Sequence, residues 1–185
     1  MIEELKTYVI KCAEDVQKSD FETLAQIADK LIEIKGTNNR IFTAGNGGSS
    51  ATASHIVGDL VKGCRVGDRP GFNAMCLSDS STVVTCLGND FSYDDIYKIQ
   101  LETFAGEGDL FIVFSGSGNS MNIVNACEYA KKNNIFVIGF GGRDGGKMKN
   151  FCDICLVAPT DSMENLEDMH LIYEHALVSI IRDQI

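Results

Sequence analysis

The feature that most constrains the fold is a regular alternation of two patterns from residue 40 onward. Short apolar runs predict strands at 40–44, 73–78, 110–115, 135–140 and 154–158. Stretches with apolar residues at helical spacing predict helices near 49–63, 91–104, 119–132 and 163–183. Most of the strands are apolar throughout, as strands covered on both faces must be. The alternation predicts an α/β fold with a parallel sheet, whose ligands bind at the carboxyl ends of the strands.

The first 37 residues have a different pattern, with two amphipathic helices predicted at 2–17 and 20–35. Gly36 is placed to end the second helix. The chain has no repeat, no low-complexity tract and only two prolines, so no linker divides it. We therefore predict a helical extension at 1–37 packed on one domain at 38–185.

Acidic residues outnumber basic ones: the 185-residue chain has 26 Asp and Glu against 16 Lys and Arg, a formal net charge of −10. This excess repels phosphate backbones, so we expect no nucleic-acid partner. No apolar run reaches the roughly 18 residues of a membrane span, and the charged N-terminus lacks the apolar core of a signal peptide. The seven cysteines are odd in number and lie mostly in apolar runs, which indicates reduced thiols. We expect a cytoplasmic protein with no membrane partner.

Two loops at predicted strand ends have the same make-up, GNGGSS at 45–50 and SGSGNS at 115–120. Glycine lets the backbone approach a ligand closely, and the helix that follows offers unpaired N–H groups and serine hydroxyls. Together these groups form a neutral cradle for a phosphate. Neither loop is a GxxxxGK[ST] or a clean GxGxxG motif, which disfavours nucleotides and dinucleotides. The alternative is that these residues simply form turns.

The chain has three histidines, at positions 55, 170 and 175. His55 and Asp59 are four residues apart on the helix after the first Gly-rich loop, so they share a face. The other two lie on the last predicted helix among several carboxylates. Histidine beside carboxylates suits proton transfer at neutral pH and also suits zinc. The alternative is a solvated ion pair on a helix surface.

Four motifs in this order, AGNGGSSATASH, CLGNDF, FSGSGNS and GGRDGGKMKN, resemble the sugar isomerase (SIS) domain proteins. Within them the chain is most similar to the branch that isomerises sedoheptulose 7-phosphate. The resemblance implies a single SIS domain, a five-stranded parallel sheet flanked by helices in the doubly wound, flavodoxin-like manner. It also implies a homotetramer with sites at subunit interfaces.

The resemblance implies roles for particular residues. The expected contacts to a sugar phosphate are Asn46, Gly47, Gly48, Ser49, Asp90, Ser115, Ser117, Ser120 and Glu167. The expected catalytic pair is Asp59 with His175. The expected zinc ligands are His55, Asp59, Glu167 and His175.

Two of these residues differ from the pattern of the SIS proteins. Asp59 stands where they have a glutamate, and Glu167 stands where they have a glutamine. The added carboxylate predicts a stronger attraction for a divalent metal. On a straight helix, however, Glu167 and His175 are roughly 12 Å apart along the axis. We therefore expect either that one of them enters from a neighbouring subunit, or that Glu167 precedes the regular helix.

The function that the resemblance implies is aldose–ketose isomerisation of a phosphorylated sugar, with the conversion of sedoheptulose 7-phosphate to D-glycero-D-manno-heptose 7-phosphate as the expected reaction. Two alternatives stay open from the sequence. One is an isomerase for a different sugar phosphate. The other is a non-catalytic sugar-phosphate-binding protein that acts through protein partners.

Overall fold

A computed structural model describes all of residues 1–185. The strands are β1 (Ile41–Gly45), β2 (Ala74–Cys76), β3 (Leu110–Ser115), β4 (Phe136–Gly142) and β5 (Ile154–Ala158). The helices are α1 (Ile2–Val16), α2 (Phe21–Lys35), α3 (Gly48–Gly58), α4 (Ser81–Asp90), α5 (Ile96–Phe104), α6 (Met121–Lys132) and α7 (Met163–Arg182). No helix is long and apolar enough to cross a bilayer.

The strands form one parallel sheet in the order β2-β1-β3-β4-β5. This is the flavodoxin-like, doubly wound order, and the predicted fold class is confirmed. From β1 the chain first adds β2 on one side of the sheet and then adds β3, β4 and β5 on the other side. The point between β1 and β3 is the switch point, where ligands bind in sheets of this type.

Alternation along each strand divides the core into two layers. On β3, Ile112 and Phe114 belong to the layer that includes residues of α2, α3 and α7. Phe111 and Val113 belong to the layer that includes residues of α5 and α6. Because successive side chains point to opposite faces, a strand covered on both faces is apolar at every position.

The two N-terminal helices are attached very differently. Helix α2 buries Leu24, Ile27, Ala28, Leu31 and Ile34 in the larger core layer. Helix α1 leaves most of its apolar side chains exposed and meets α7 through a hydrogen bond from the Tyr8 hydroxyl to Asp168 (2.6 Å). The division at residue 37 stays a prediction, although α2 is part of the core.

The structure differs from the predicted elements in two places. Helix α4 lies where no helix was predicted; none of its residues is buried, and Ser80 caps its first turn. The helix predicted at 49–63 ends as α3 at Gly58 and continues as a wider π-helical turn over Asp59–Gly63.

Candidate active site

Two Gly/Ser loops face each other across the switch point. Strands β1 and β3 are neighbours, and Gly45 at the end of β1 is in register with Phe114 of β3. Between the two loops lies a cavity of about 160 Å³, which we call the serine pocket. Its lining residues are Asn46, Ser49, Phe114, Ser115, Gly116, Ser117, Ser120, Met163 and Glu167. The structure thus brings together all four serines that were predicted to contact phosphate.

The helices that start at the serine pocket have free N-termini. Helix α3 follows Gly47, which has no side chain, and α6 follows Ser120, whose hydroxyl makes no capping bond. By contrast, the side chains of Asp20, Ser80 and Ser162 accept hydrogen bonds from backbone N–H groups at the starts of α2, α4 and α7. The first two N–H groups of each helix, at Gly48 and Ser49 in α3 and at Met121 and Asn122 in α6, are therefore available to an anion in the pocket.

Asn46 holds the first loop in shape. Its amide exchanges two hydrogen bonds with the Asn122 amide, both 2.9 Å, and its oxygen accepts from the hydroxyls of Tyr93 and Tyr97 at 3.1 Å. Burial raises the pKa of Tyr97 to about 12, so its hydroxyl keeps its proton at physiological pH. These bonds fix the backbone at the end of β1, where the pocket begins.

The second loop is supported by the GGRDGGKMKN segment after β4. Gly118 has a φ of +62°, and a Cβ on it would overlap the Gly145 carbonyl. The Met148 N–H donates to the Gly118 carbonyl (2.9 Å), and the Lys147 N–H donates to the Asn119 side-chain oxygen (3.2 Å). The segment therefore acts as a scaffold for the loop at 115–120.

Glu167 is the only charged residue that lines the serine pocket. It lies in the second turn of α7, and its carboxylate packs on Gly48 in the first turn of α3. A Cβ at position 48 would overlap that carboxylate, so a larger residue there would displace the Glu167 side chain from its present position. Glu167 is inside the regular helix, which excludes the prediction that it precedes the helix.

A second group of polar side chains lies further along the same two helices. Ligand atoms of His55, Asp59, Glu174 and His175 all lie within 4.8 Å of one another. The His175 Nε2 is 4.0 Å from a carboxylate oxygen of Asp59, and the two imidazole rings meet edge to face with centroids 5.0 Å apart. We call these four residues the donor cluster. The side chains of His55 and His175 are 48% and 54% exposed, so the cluster is open on one side.

The π-helical turn sets the position of Asp59. The Cys64 N–H reaches back five residues to the Asp59 carbonyl (3.0 Å), which widens the turn just after α3. Such turns interrupt the helical register locally and occur often at functional sites. Here the widening begins at Asp59, for which the family resemblance predicts a catalytic role.

Glu174 is the member of the donor cluster that was not predicted. It is fully buried, and both of its carboxylate oxygens lie near the His55 Nδ1, at 2.9 and 3.1 Å. The hydrogen bond that His55 donates to Glu174 raises the pKa of His55, while burial raises the pKa of the Glu174 carboxyl. One sequence signal could have revealed it: position 174 is a carboxylate on the apolar face of α7, beside Tyr173 and Leu177.

The structure places Glu167 and Asp90 away from the donor cluster. The prediction of Glu167 as the fourth ligand is not met within one chain, because it lies two turns before Glu174 on α7. Asp90 is exposed at the end of α4, where it accepts from the Asn89 amide (2.7 Å), and does not line the serine pocket.

Helices α3 and α7 run side by side in the same direction. Gly48 contacts Glu167, and His55 bonds Glu174; both pairs are 119 residues apart in the sequence. The serine pocket and the donor cluster are therefore separated by seven residues on each helix, about 10 Å along the axes.

His170 is a core residue rather than a site residue. It is 1% exposed among Phe114, Phe140 and Tyr173, and its Nε2–H donates to the Gly141 carbonyl (3.2 Å). Burial lowers its pKa to about 4, so the ring is neutral at physiological pH. The bond ties α7 to the end of β4.

Comparison with known proteins assigns the chain to a family. The model of the SIS domain family matches residues 6–142, and the chain belongs to that family. It is 37% identical to the phosphoheptose isomerase of Aneurinibacillus thermoaerophilus over 162 residues, 88% of this chain and 81% of that one. It is 35% identical to the phosphoheptose isomerase of Sulfurimonas denitrificans, over 98% of this chain and 97% of that one.

Solved structures show the same similarity. A phosphoheptose isomerase from Francisella tularensis aligns with a TM-score of 0.91 at 26% identity, over 98% of both chains. One from Neisseria gonorrhoeae aligns with a TM-score of 0.90 at 26% identity, over 100% of this chain and 97% of that one.

The buried His170 predicts a pH dependence of stability. The folded pKa of His170, about 4, lies below the unfolded value of about 6.5. Its full contribution to the free energy of unfolding is therefore present above pH 6.5 and declines as the pH falls toward 4. At pH 5 the loss amounts to about 2 kcal/mol. In urea unfolding at pH 7.5 and pH 5, we expect His170→Gln to lose less stability than the wild type over this interval. Equal losses in the two proteins would contradict the assignment.

Proposed function

We propose that this protein is an aldose–ketose isomerase that converts sedoheptulose 7-phosphate to D-glycero-D-manno-heptose 7-phosphate. The observation that carries the proposal is the pairing of a serine pocket with a donor cluster along α3 and α7. One end offers neutral hydrogen-bond donors for a phosphate, and the other offers acid and base groups. Relatives named phosphoheptose isomerase, at 35–37% identity, support the same reaction.

The separation of the two ends supports a seven-carbon substrate. In an extended sugar chain, seven bonds separate the phosphorus on C7 from C2, a span of about 8–9 Å. A five-carbon analogue spans only about 6 Å. The separation of about 10 Å along the helices is closer to the span of the longer chain than to that of the shorter one.

In this proposal the phosphate binds to the hydroxyls of Ser49, Ser115, Ser117 and Ser120 and to N–H groups at the starts of α3 and α6. Gly47 and Gly48 let the backbone approach the phosphate, and Asn46 orders the loop. Glu167 accepts hydrogen bonds from sugar hydroxyls next to the phosphate, because a carboxylate has no proton to donate. Asp90 lies outside the serine pocket of the single chain. We propose that it contacts substrate only in an assembly in which a second subunit completes the site.

At the other end, isomerisation moves a proton between C1 and C2 through an enediol. His175 and Asp59 form the acid and base pair: one accepts the proton from carbon, and the other donates a proton to the substrate oxygen. Their separation of 4.0 Å leaves both side chains within reach of one substrate. The buried carboxylate of Glu174 lies beside His55 and adds negative charge at this end of the site.

The donor cluster also fits a divalent metal, for which we propose zinc. The imidazoles of His55 and His175 and the carboxylate of Asp59 are ligands that zinc accepts, and the negative charges of Asp59 and Glu174 attract a +2 ion. Ligands around a tetrahedral zinc lie roughly 3.5 Å apart. The present spread of up to 4.8 Å is wider, so zinc binding would draw the ligand atoms closer together. A bound zinc ion would polarise the two oxygens of the substrate.

The N-terminal helix supports assembly into a homotetramer. Ile2, Leu5, Val9, Cys12 and Val16 follow the 3-4-3-4 spacing of a helix–helix seam. The first three are 70%, 64% and 65% exposed in the single chain. We propose that copies of this chain cover the stripe and close the open side of the donor cluster. We also propose that the protein works in the cytoplasm, since all seven of its cysteines are free thiols.

The substrate assignment is tested with a panel of ketose phosphates of five, six and seven carbons, read by NMR. We expect turnover to be fastest for sedoheptulose 7-phosphate. Ser117→Ala with Ser120→Ala should raise KM at least tenfold through the loss of two hydrogen bonds to a charged group, with a smaller effect on kcat. Thr103→Ala, on the exposed face of α5, is the control. Binding of sugar phosphates without any turnover would instead favour a non-catalytic binding protein.

Metal dependence is tested by removing the ion with a chelator and then adding zinc, manganese or magnesium. We expect activity to fall on removal and to return with zinc. Asp59→Asn should weaken zinc binding at least tenfold, because it removes a charged ligand. Glu164→Gln changes the net charge equally at an exposed position and should bind zinc as the wild type does. Full activity in protein shown by elemental analysis to hold no metal would rule out the requirement.

Assembly is tested by light scattering, where we expect a mass near four times the 20.1 kDa of the chain. Val9→Glu places a charge in the apolar stripe and should dissociate the assembly and lower activity. Thr7→Glu adds the same charge elsewhere on α1 and should not. A stable monomer with full activity would disprove the proposal.

A further inference from the structure

We propose that Glu174 is a positioning residue that fixes the tautomer and orientation of His55. The His55 Nε2 is then the ring atom left to bind a metal ion or accept a proton in the donor cluster. This inference rests on the proposed function only in that His55 acts at the site. The relevant contact is present in the chain itself, without substrate or metal.

The contact is unusually well defined for a charged group. Glu174 is fully buried on the apolar face of α7, and His55 is the residue whose side chain hydrogen-bonds to it. A buried carboxylate needs a hydrogen-bond donor, since burial without one is costly. The His55 Nδ1 meets that need by facing both carboxylate oxygens, at 2.9 and 3.1 Å.

The chemistry of imidazole then determines what His55 can do. A carboxylate accepts only, so the His55 Nδ1 must carry a proton to bond it. In the neutral ring the lone pair is then on Nε2, which is the atom left to bind a metal ion or accept a proton. Without Glu174 the ring would be free to take the other tautomer and to rotate. Partners of this kind orient metal-binding histidines, and their loss typically costs about 10–100-fold in metal affinity.

The alternative is that Glu174 is itself a metal ligand, as its place in the donor cluster allows. Direct ligation would require one of its oxygens to leave the His55 Nδ1 or to be shared with the ion. The two roles predict different results when the carboxylate is replaced by an amide. Gln at position 174 keeps an oxygen that accepts from Nδ1–H, whereas Ala removes the acceptor.

The experiment measures the ¹⁵N shifts of the His55 imidazole in metal-free protein, and zinc affinity by competition with a chelating dye. We expect the wild type and Glu174→Gln to show the Nδ1–H tautomer, and Glu174→Ala to lose it. Zinc affinity should fall about 10–100-fold in Glu174→Ala and be largely retained in Glu174→Gln. Asp183→Ala, which removes an exposed carboxylate at the end of α7, should change neither quantity. Circular dichroism confirms that each variant is folded.

Two results would overturn the inference. An unchanged His55 tautomer in folded Glu174→Ala would show that the carboxylate does not select it. Equally large losses of zinc affinity in both Glu174 variants, with the tautomer intact, would make Glu174 a ligand. Neither result bears on turnover of the sugar panel, so failure of this inference and failure of the proposed function are distinguishable.

Discussion

The site depends on the packing of α3 against α7 in one fixed register. Both helices lie on the same face of the sheet, and their apolar residues share the larger core layer. A shift of one helix by a single turn would move Glu167 away from Gly48 and Glu174 away from His55 together. The absence of a side chain at Gly48 leaves room for the Glu167 carboxylate at one end, and the Glu174–His55 bond joins the helices at the other. His170 holds α7 to β4 between them, so the register is fixed by the core as well as by the site.

The elements that the sequence predicts correctly are those determined by local pattern. Every strand is found within three residues of its predicted ends, because apolar runs between turns leave few other structures open. The serine pocket follows from the same pattern: two loops rich in Gly and Ser end neighbouring strands, so they meet at one edge of the sheet. Confirmation of the SIS family adds to this inference but was not needed to bring the loops together.

What the sequence could not supply is the relation between elements that are distant along the chain. The sequence shows that positions 167, 174 and 175 share a helix, but the register of α7 on α3 is a tertiary property. That register decides that Glu174 joins His55 and that Glu167 joins the serine pocket instead. The role of His170 was obscured for a similar reason: its burial among aromatic rings is set by β3 and β4, not by the carboxylates near it in sequence.

The two ends of the site differ in the kind of electrostatic interaction they offer to a ligand. Across the whole molecule a net charge of −10 repels anions, and the serine pocket contains no cation to offset it. Attraction for a phosphate must then come from short-range groups: hydroxyls, unpaired N–H groups and the positive ends of α3 and α6. The ionisable groups are concentrated about 10 Å away in the donor cluster, where buried Glu174 faces half-exposed histidines. Glu167 marks the boundary between the two ends. As a pure acceptor it is complementary to hydroxyls rather than to phosphate oxygens, so it fits the sugar portion of a ligand whose phosphate is held by the serines.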